Sequence, residues 1–141
     1  MSNYAVRPFQ LGDAAFFPEF TALHFYPAKV PYPAVTGLCD GQPIGCAGLI
    51  PDGLGAAEGW IILGQPVNGH GRWIVWTVRK FLTLWQAEGR LRRIWATAAE
   101  DRPDVMRWLE ALGFVQEGLM LAYRPDGGNS WLYARTRRNG S

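Results

Sequence analysis

The sequence predicts an α+β layered domain, a central sheet with helices on its faces. Three observations lead there. Strand-like apolar runs recur, the plainest being Trp60-Ile61-Ile62-Leu63 and residues 91–98. Two other segments, 73–85 and 105–112, repeat their apolar residues at helical spacing instead. Turn chemistry separates them, at Asp40-Gly41, Gly89, Gly113 and Pro125-Asp126-Gly127-Gly128. The resulting order, β-α-β-β-β-α-β-α-β-β, needs layers to bury one face of each element.

Tyr4 to Arg7 reads as a first strand. Asp13 is placed to cap a helix whose apolar positions include Phe16, Phe17, Phe20 and Leu23. Tyr26-Pro27-Ala28-Lys29-Val30-Pro31-Tyr32-Pro33 cannot be regular helix, because its prolines remove donors and bias their neighbours to extended backbone. It reads as a tyrosine-rich loop. Residues 35–39 and 44–50 form a hairpin about Asp40-Gly41, and a strand over 57–63 follows the break at Pro51-Asp52-Gly53.

The helix after Gly71 puts Ile74, Val78, Phe81, Leu82 and Trp85 on one face, widened by Trp73, Trp76 and Leu84, and Gly89 is its expected left-handed stop. For the next helix, Asp101 is the expected cap, with Asp104 as a carboxylate variant of the capping box and Pro103 in the first turn. Val105, Leu109 and Leu112 make its inner face, Gly113 ends it, and Phe114 packs back on the last turn. Strands over 115–124 and 130–136 complete the pattern.

A chain of 141 residues, 48% hydrophobic and 18% charged, can bury a core, and one domain over 1–141 is expected. A net charge of +2 gives no bulk attraction for nucleic acid. Arg135, Arg137 and Arg138 read as part of a solvated tail, frayed from about residue 137, in preference to a binding patch. Cys39 and Cys46 flank the hairpin turn, where a disulfide is geometrically open, but free thiols are the expectation. No metal-ligand spacing, membrane-length apolar run or leader is apparent, so the expectation is a cytoplasmic protein with no metal and no membrane contact.

The chemistry concentrates after residue 57. A strand, the loop Asn68-Gly69-His70-Gly71-Arg72 and a helix start can together present backbone N–H groups to a phosphate. An ordinary turn would carry the same two glycines. Arg72 can add a charge-assisted contact or simply face water. Glu58 stands in an apolar stretch; withdrawn from water it would be a general base, and at an exposed strand end it would be inert. His70 is a second candidate for proton transfer or phosphate contact. His24, Tyr26, Tyr32 and Trp60 are candidate lining for an acceptor pocket, each with core packing as the plainer alternative.

From Ala5-Val6-Arg7-Pro8 and Gly12-Asp13 to Leu112-Gly113-Phe114 and Glu117-Gly118, the layout resembles the GNAT superfamily of acetyl-CoA-dependent N-acetyltransferases. The family's loop, Q/R-x-x-G-x-G/A, is matched by Pro66-Val67-Asn68-Gly69-His70-Gly71 at both glycines; Pro66 departs from it, and Gln65 stands one residue early. The resemblance implies a mainly antiparallel sheet that splays between its fourth and fifth strands. It also implies contacts to acetyl-CoA from Ile61, Ile62, Leu63, Val67, Gly69, His70, Gly71 and Arg72. Glu58 falls where some relatives keep a general base. The positions where many relatives carry Asn and an acid Tyr hold Arg102 and Leu109.

The expected reaction is acetyl transfer to a primary amine on a small molecule or protein, by a monomer or homodimer. Trp108-Leu109-Glu110-Ala111-Leu112-Gly113-Phe114 is also similar to the ending of phage-encoded GNAT-like proteins, including the internal virion protein group. That likeness implies a competing reading, a catalytically silent module for virion assembly or host interaction. An acyl-CoA sensor is a third.

Overall fold

The computed structural model describes residues 3–10, 12–13, 33–63 and 69–137. The expected first helix, the tyrosine-rich loop with His24, Tyr26 and Tyr32, the stretch from Gln65 to Asn68 including Val67, and Arg138 lie outside the described residues. Within them are strands β1 (Tyr4–Pro8), β2 (Ala34–Cys39), β3 (Gln42–Pro51), β4 (Ala56–Leu63), β5 (Arg93–Ala99), β6 (Val115–Met120) and β7 (Ser130–Thr136). Helix α1 spans Gly71–Glu88 and α2 spans Pro103–Ala111. The strands form one seven-stranded sheet in the order β1-β2-β3-β4-β5-β7-β6. The β1–β2, β2–β3, β5–β7 and β6–β7 ladders are antiparallel, and β4–β5 is parallel.

The chain divides into two compact units, one of Met1–Ile50 with Gly59–Ile74 and one of Pro51–Glu58 with Val75–Ser141. In the first, the β2–β3 hairpin closes with Cys39 opposite Gln42. Asp40 (φ 51°) and Gly41 (φ 83°) both take the left-handed conformation, as a two-residue hairpin turn of this hand requires. Ile44, Ala47 and Leu49 are buried on β3. Cys46 and Ile62 form a small core against which Phe9 and Trp60 pack. Gly48 is required by close approach, since a Cβ there would lie 2.6 Å from the Trp60 ring and 2.8 Å from the Pro33 carbonyl oxygen.

Asp13 is 3% exposed. Its carboxylate accepts from Arg7 Nη1 (2.8 Å) and Nη2 (2.7 Å), from the Gln10 backbone N–H (2.9 Å) and from the Thr36 hydroxyl (2.7 Å). These partners, Arg7 foremost, hold its pKa down at about 2.

In the second unit β5 lies between β4 and β7, with Ile94, Ala96 and Ala98 buried. Helix α2 packs on β5 and β6. Its C-terminus behaves as the sequence predicts: Gly113 has φ 95°, and the Phe114 N–H returns to the Leu109 carbonyl at 3.0 Å. Its N-terminus does not. Arg102 is the N-cap residue, and no side chain caps the helix. The Arg102 guanidinium takes Asp104, and Asp101 pairs with Arg124 (3.3 Å), so neither carboxylate makes the expected capping box.

Three further expectations are corrected in this unit. The left-handed stop of α1 is Arg90 (φ 52°), one residue after Gly89, and the Leu91 N–H closes the turn on the Gln86 carbonyl at 2.9 Å. The apolar stripe of α1 is narrower than the sequence suggests: Trp76 is 59% and Leu84 47% exposed, and Lys80 Nζ sits 4.3 Å from the centre of the Trp76 ring. Strand β6 stops at Met120, ahead of the expected 124, because Ala122 turns left-handed (φ 53°) and gives its N–H to the Asn129 side chain.

The arginine cluster is the largest correction. Arg135 is 1% exposed and belongs to β7, with no share in a solvated tail. Its Nε donates to the Leu112 carbonyl (3.1 Å), Nη1 to Gln86 Oε1 (2.8 Å) and Nη2 to the Thr83 hydroxyl (2.7 Å). A cation over the C-terminal carbonyls of α2 is favoured by the helix dipole.

Candidate active site

Glu58 sits where the parallel β4–β5 ladder ends. The register runs Ala56 to Arg93, Ala57 to Ile94 and Glu58 to Trp95, and stops there, which is the splay expected of the sheet. β-pairing of β4 with β5 fixes the backbone at Glu58, and the apolar residues around it fix its environment: Ala57 and Ile94 on either side of the ladder are both fully buried. The Glu58 carboxyl is half-buried, and burial alone raises its pKa. Among the described residues no cation or hydrogen-bond donor offsets that desolvation. A carboxylate kept short of partners is a better proton acceptor than one held in a salt bridge.

In the first unit the end of the glycine loop is held by an aromatic cluster. Tyr4 of β1 stacks on Trp73 of α1 with ring centres 4.5 Å apart. The Tyr4 hydroxyl lies 2.7 Å from His70 Nδ1. His70 is therefore anchored by a side-chain partner, and the Ile74 N–H takes its carbonyl at 3.0 Å to begin the helix ladder. Gly69 has φ 88° and open space where a Cβ would stand. Its glycine is thus demanded by backbone conformation. Gly71 is already the first residue of α1, with Arg72 exposed beside it. The N–H groups of this first turn have no acceptor within the helix and carry the positive end of its dipole.

The other expected contacts differ in character. Ile62 is 2% exposed and its side chain is committed to the core, so only its backbone is left to meet a ligand, whereas Ile61 and Leu63 are partly exposed. Trp60 packs edge-on against Phe9 with ring centres 5.9 Å apart. Leu109 is 4% exposed, its side chain committed to the core of the second unit. Tyr4 is the member of this constellation that sequence reading missed; its only signal is an aromatic residue on the first strand. Among the described residues no cluster of metal-ligating side chains occurs, and no helix is long and apolar enough to cross a membrane.

No family model matches the chain, and no curated protein matches it. Solved structures do. A chimera of the Vibrio cholerae spermidine N-acetyltransferase SpeG and hSSAT superposes with a TM-score of 0.73 at 18% identity, covering 96% of each chain. A GNAT-family acetyltransferase from Streptococcus pneumoniae gives 0.73 at 14% identity, over 95% of this chain and 99% of that one. A putative phosphinothricin N-acetyltransferase gives 0.71 at 14%, over 95% and 98%. The fold is that of the GNAT acetyltransferases.

Proposed function

We propose that the protein is an N-acetyltransferase that moves an acetyl group from acetyl-CoA to a primary amine. The observation that carries the reading is Glu58, a half-buried carboxyl with a raised pKa at the end of the β4–β5 ladder of a GNAT fold. Gly69, His70 and the first turn of α1 would bind the diphosphate through backbone N–H groups, with Arg72 as a charge-assisted contact. Backbone N–H groups of β4 past the ladder would orient the thioester and polarise its carbonyl.

Glu58, directly or through one water, takes a proton from the ammonium group. The free amine attacks the thioester carbonyl, the new C–N bond forms, the nitrogen gives its second proton to solvent, the C–S bond breaks, and the thiolate leaves. With Leu109 buried where relatives have an acid, that thiolate takes its proton from solvent. Holding amine and thioester together supplies much of the rate.

The test is a thiol-release assay with acetyl-CoA over a panel of amines, spermidine included because one structural relative acts on it. Glu58→Gln should lower kcat/KM by about a hundredfold. The same variant should unfold at higher urea at neutral pH. The raised Glu58 pKa means that the folded state loses stability as pH rises through it, and glutamine removes that loss. Turnover unchanged in Glu58→Gln removes this residue from its role. Absence of acetyl-CoA binding at about 1 mM, a ceiling of roughly −4 kcal/mol, removes the reaction itself.

A further inference from the structure

Tyr4 and His70 are 66 residues apart in the chain, yet the Tyr4 hydroxyl lies 2.7 Å from His70 Nδ1. Both partners are held from behind. The Asn3 N–H donates to Asp40 Oδ1 at 2.9 Å and the Asp40 N–H to the Asn3 carbonyl at 2.8 Å, which pins the start of β1 beside Tyr4. The Tyr4 ring stacks on Trp73, with centres 4.5 Å apart and planes 10° apart. Trp73 in turn lies against β2 at Gly37, where a Cβ would come 3.1 Å from its ring. The His70 ring meets the Tyr4 ring edge-on, at 87°, and the His70 carbonyl accepts from Ile74 in the first turn of α1.

The chemistry of the pair decides which atom donates. A phenol is a good donor and a poor acceptor, and a neutral imidazole carries one bare nitrogen that accepts well. The separation agrees, since hydrogen bonds from a hydroxyl settle at about 2.7–2.8 Å and those from N–H at about 2.9–3.0 Å. The Tyr4 O–H therefore donates to Nδ1. A neutral imidazole has a single N–H, so its proton sits on Nε2. Among the described residues Nε2 has no acceptor, and His70 is partly exposed between Gly69 and the first turn of α1.

We propose that Tyr4 is a positioning residue for the anion taken at the glycine loop: its hydroxyl locks the His70 proton on Nε2, and the ring then offers a fixed N–H donor to a phosphate oxygen. The inference rests on the acetyl-CoA reading for the identity of that anion, the diphosphate of coenzyme A. It also chooses between the two roles open to His70. With a donor on Nδ1 and a proton on Nε2, the ring has no lone pair free to accept a proton, and the base is Glu58. A donor already held in place loses little freedom when its ligand arrives.

The experiment follows the His70 imidazole by ¹⁵N NMR at about pH 8, where a free imidazole is neutral. Calorimetry on the same samples measures coenzyme A binding. The ligand-free native chain should show the proton on Nε2 and Nδ1 as a hydrogen-bond acceptor. In Tyr4→Phe, which keeps the ring on Trp73, the Nδ1 signal should move to that of an unbonded nitrogen, and the dissociation constant should rise about fivefold. His70→Ala should raise it about tenfold, and adding Tyr4→Phe should deepen that loss no further, because Tyr4 acts through the imidazole. A proton on Nδ1 in the native chain overturns the proposal. So does unchanged affinity in Tyr4→Phe, or losses that add in the double variant. Those three outcomes leave acetyl transfer standing as long as the native chain binds coenzyme A. A native chain that binds none at about 1 mM removes the cofactor reading and this proposal with it. Weakened binding in Tyr4→Phe, beside a native chain that turns over no amine, upholds the proposal and removes only the reaction.

Discussion

In the first unit Asp13 is 3% exposed and faces a guanidinium; in the second Arg135 is 1% exposed and, among the described residues, pairs with no carboxylate. Both make several hydrogen bonds to the groups around them, and the difference lies in charge. Asp13 has its desolvation answered by an ion pair at 2.7 Å whose arginine reaches partway into water. Arg135 is answered by helix-end and side-chain oxygens that carry only partial charge. A pair of the first kind answers its own desolvation with opposite charge, and a cation among neutral oxygens is answered only in part.

The two sites should respond unequally to truncation. Asp13→Ala leaves the Arg7 cation and the buried Thr36 hydroxyl without their acceptor, and should cost about 3 kcal/mol in urea unfolding. Arg135→Met removes the buried charge itself along with its hydrogen bonds, and should cost less, about 2 kcal/mol. Equal losses would break the contrast between a paired and an unpaired charge.

Acid sharpens it. The Asp13 carboxyl titrates at about 2 in the folded state against 3.8 for an unperturbed aspartate. A depressed value of this kind gives stability that is complete above the unfolded pKa and is lost as pH falls through the folded one, about 2 kcal/mol here. Unfolding midpoints between pH 5 and about 2 should therefore fall steeply in the native chain and in Arg135→Met, and more gently in Asp13→Asn.

Much of the fold was legible because local chemistry decided it. Asp40-Gly41 dictates its turn by conformation, Gly113-Phe114 closes α2 in the expected way, and the helical spacing of Ile74, Val78, Leu82 and Trp85 survives as the buried face of α1. What escaped depends on partners far along the chain. Arg135 looks like one of a basic tail until Gln86, 49 residues away, is seen against it. Asp101 and Asp104 look like caps until Arg124 and Arg102 are found to hold them. Gly89 looks like the helix stop, but its neighbour Arg90 takes the left-handed turn. The partial burial of Glu58 was legible from its apolar surroundings, whereas the Tyr4–His70 contact joins residues 66 apart and has no local signature.

The two thiols differ as sharply as the two charges. Cys46 is 4% exposed, with burial pushing its pKa up to about 12, while Cys39 is partly exposed at the hairpin turn, and the two are not bonded to each other. A maleimide dye reacts with thiolate, which Cys46 scarcely forms and does not expose. Labelling of the folded protein therefore falls on Cys39, and the native chain comes with a ready attachment point for a fluorophore.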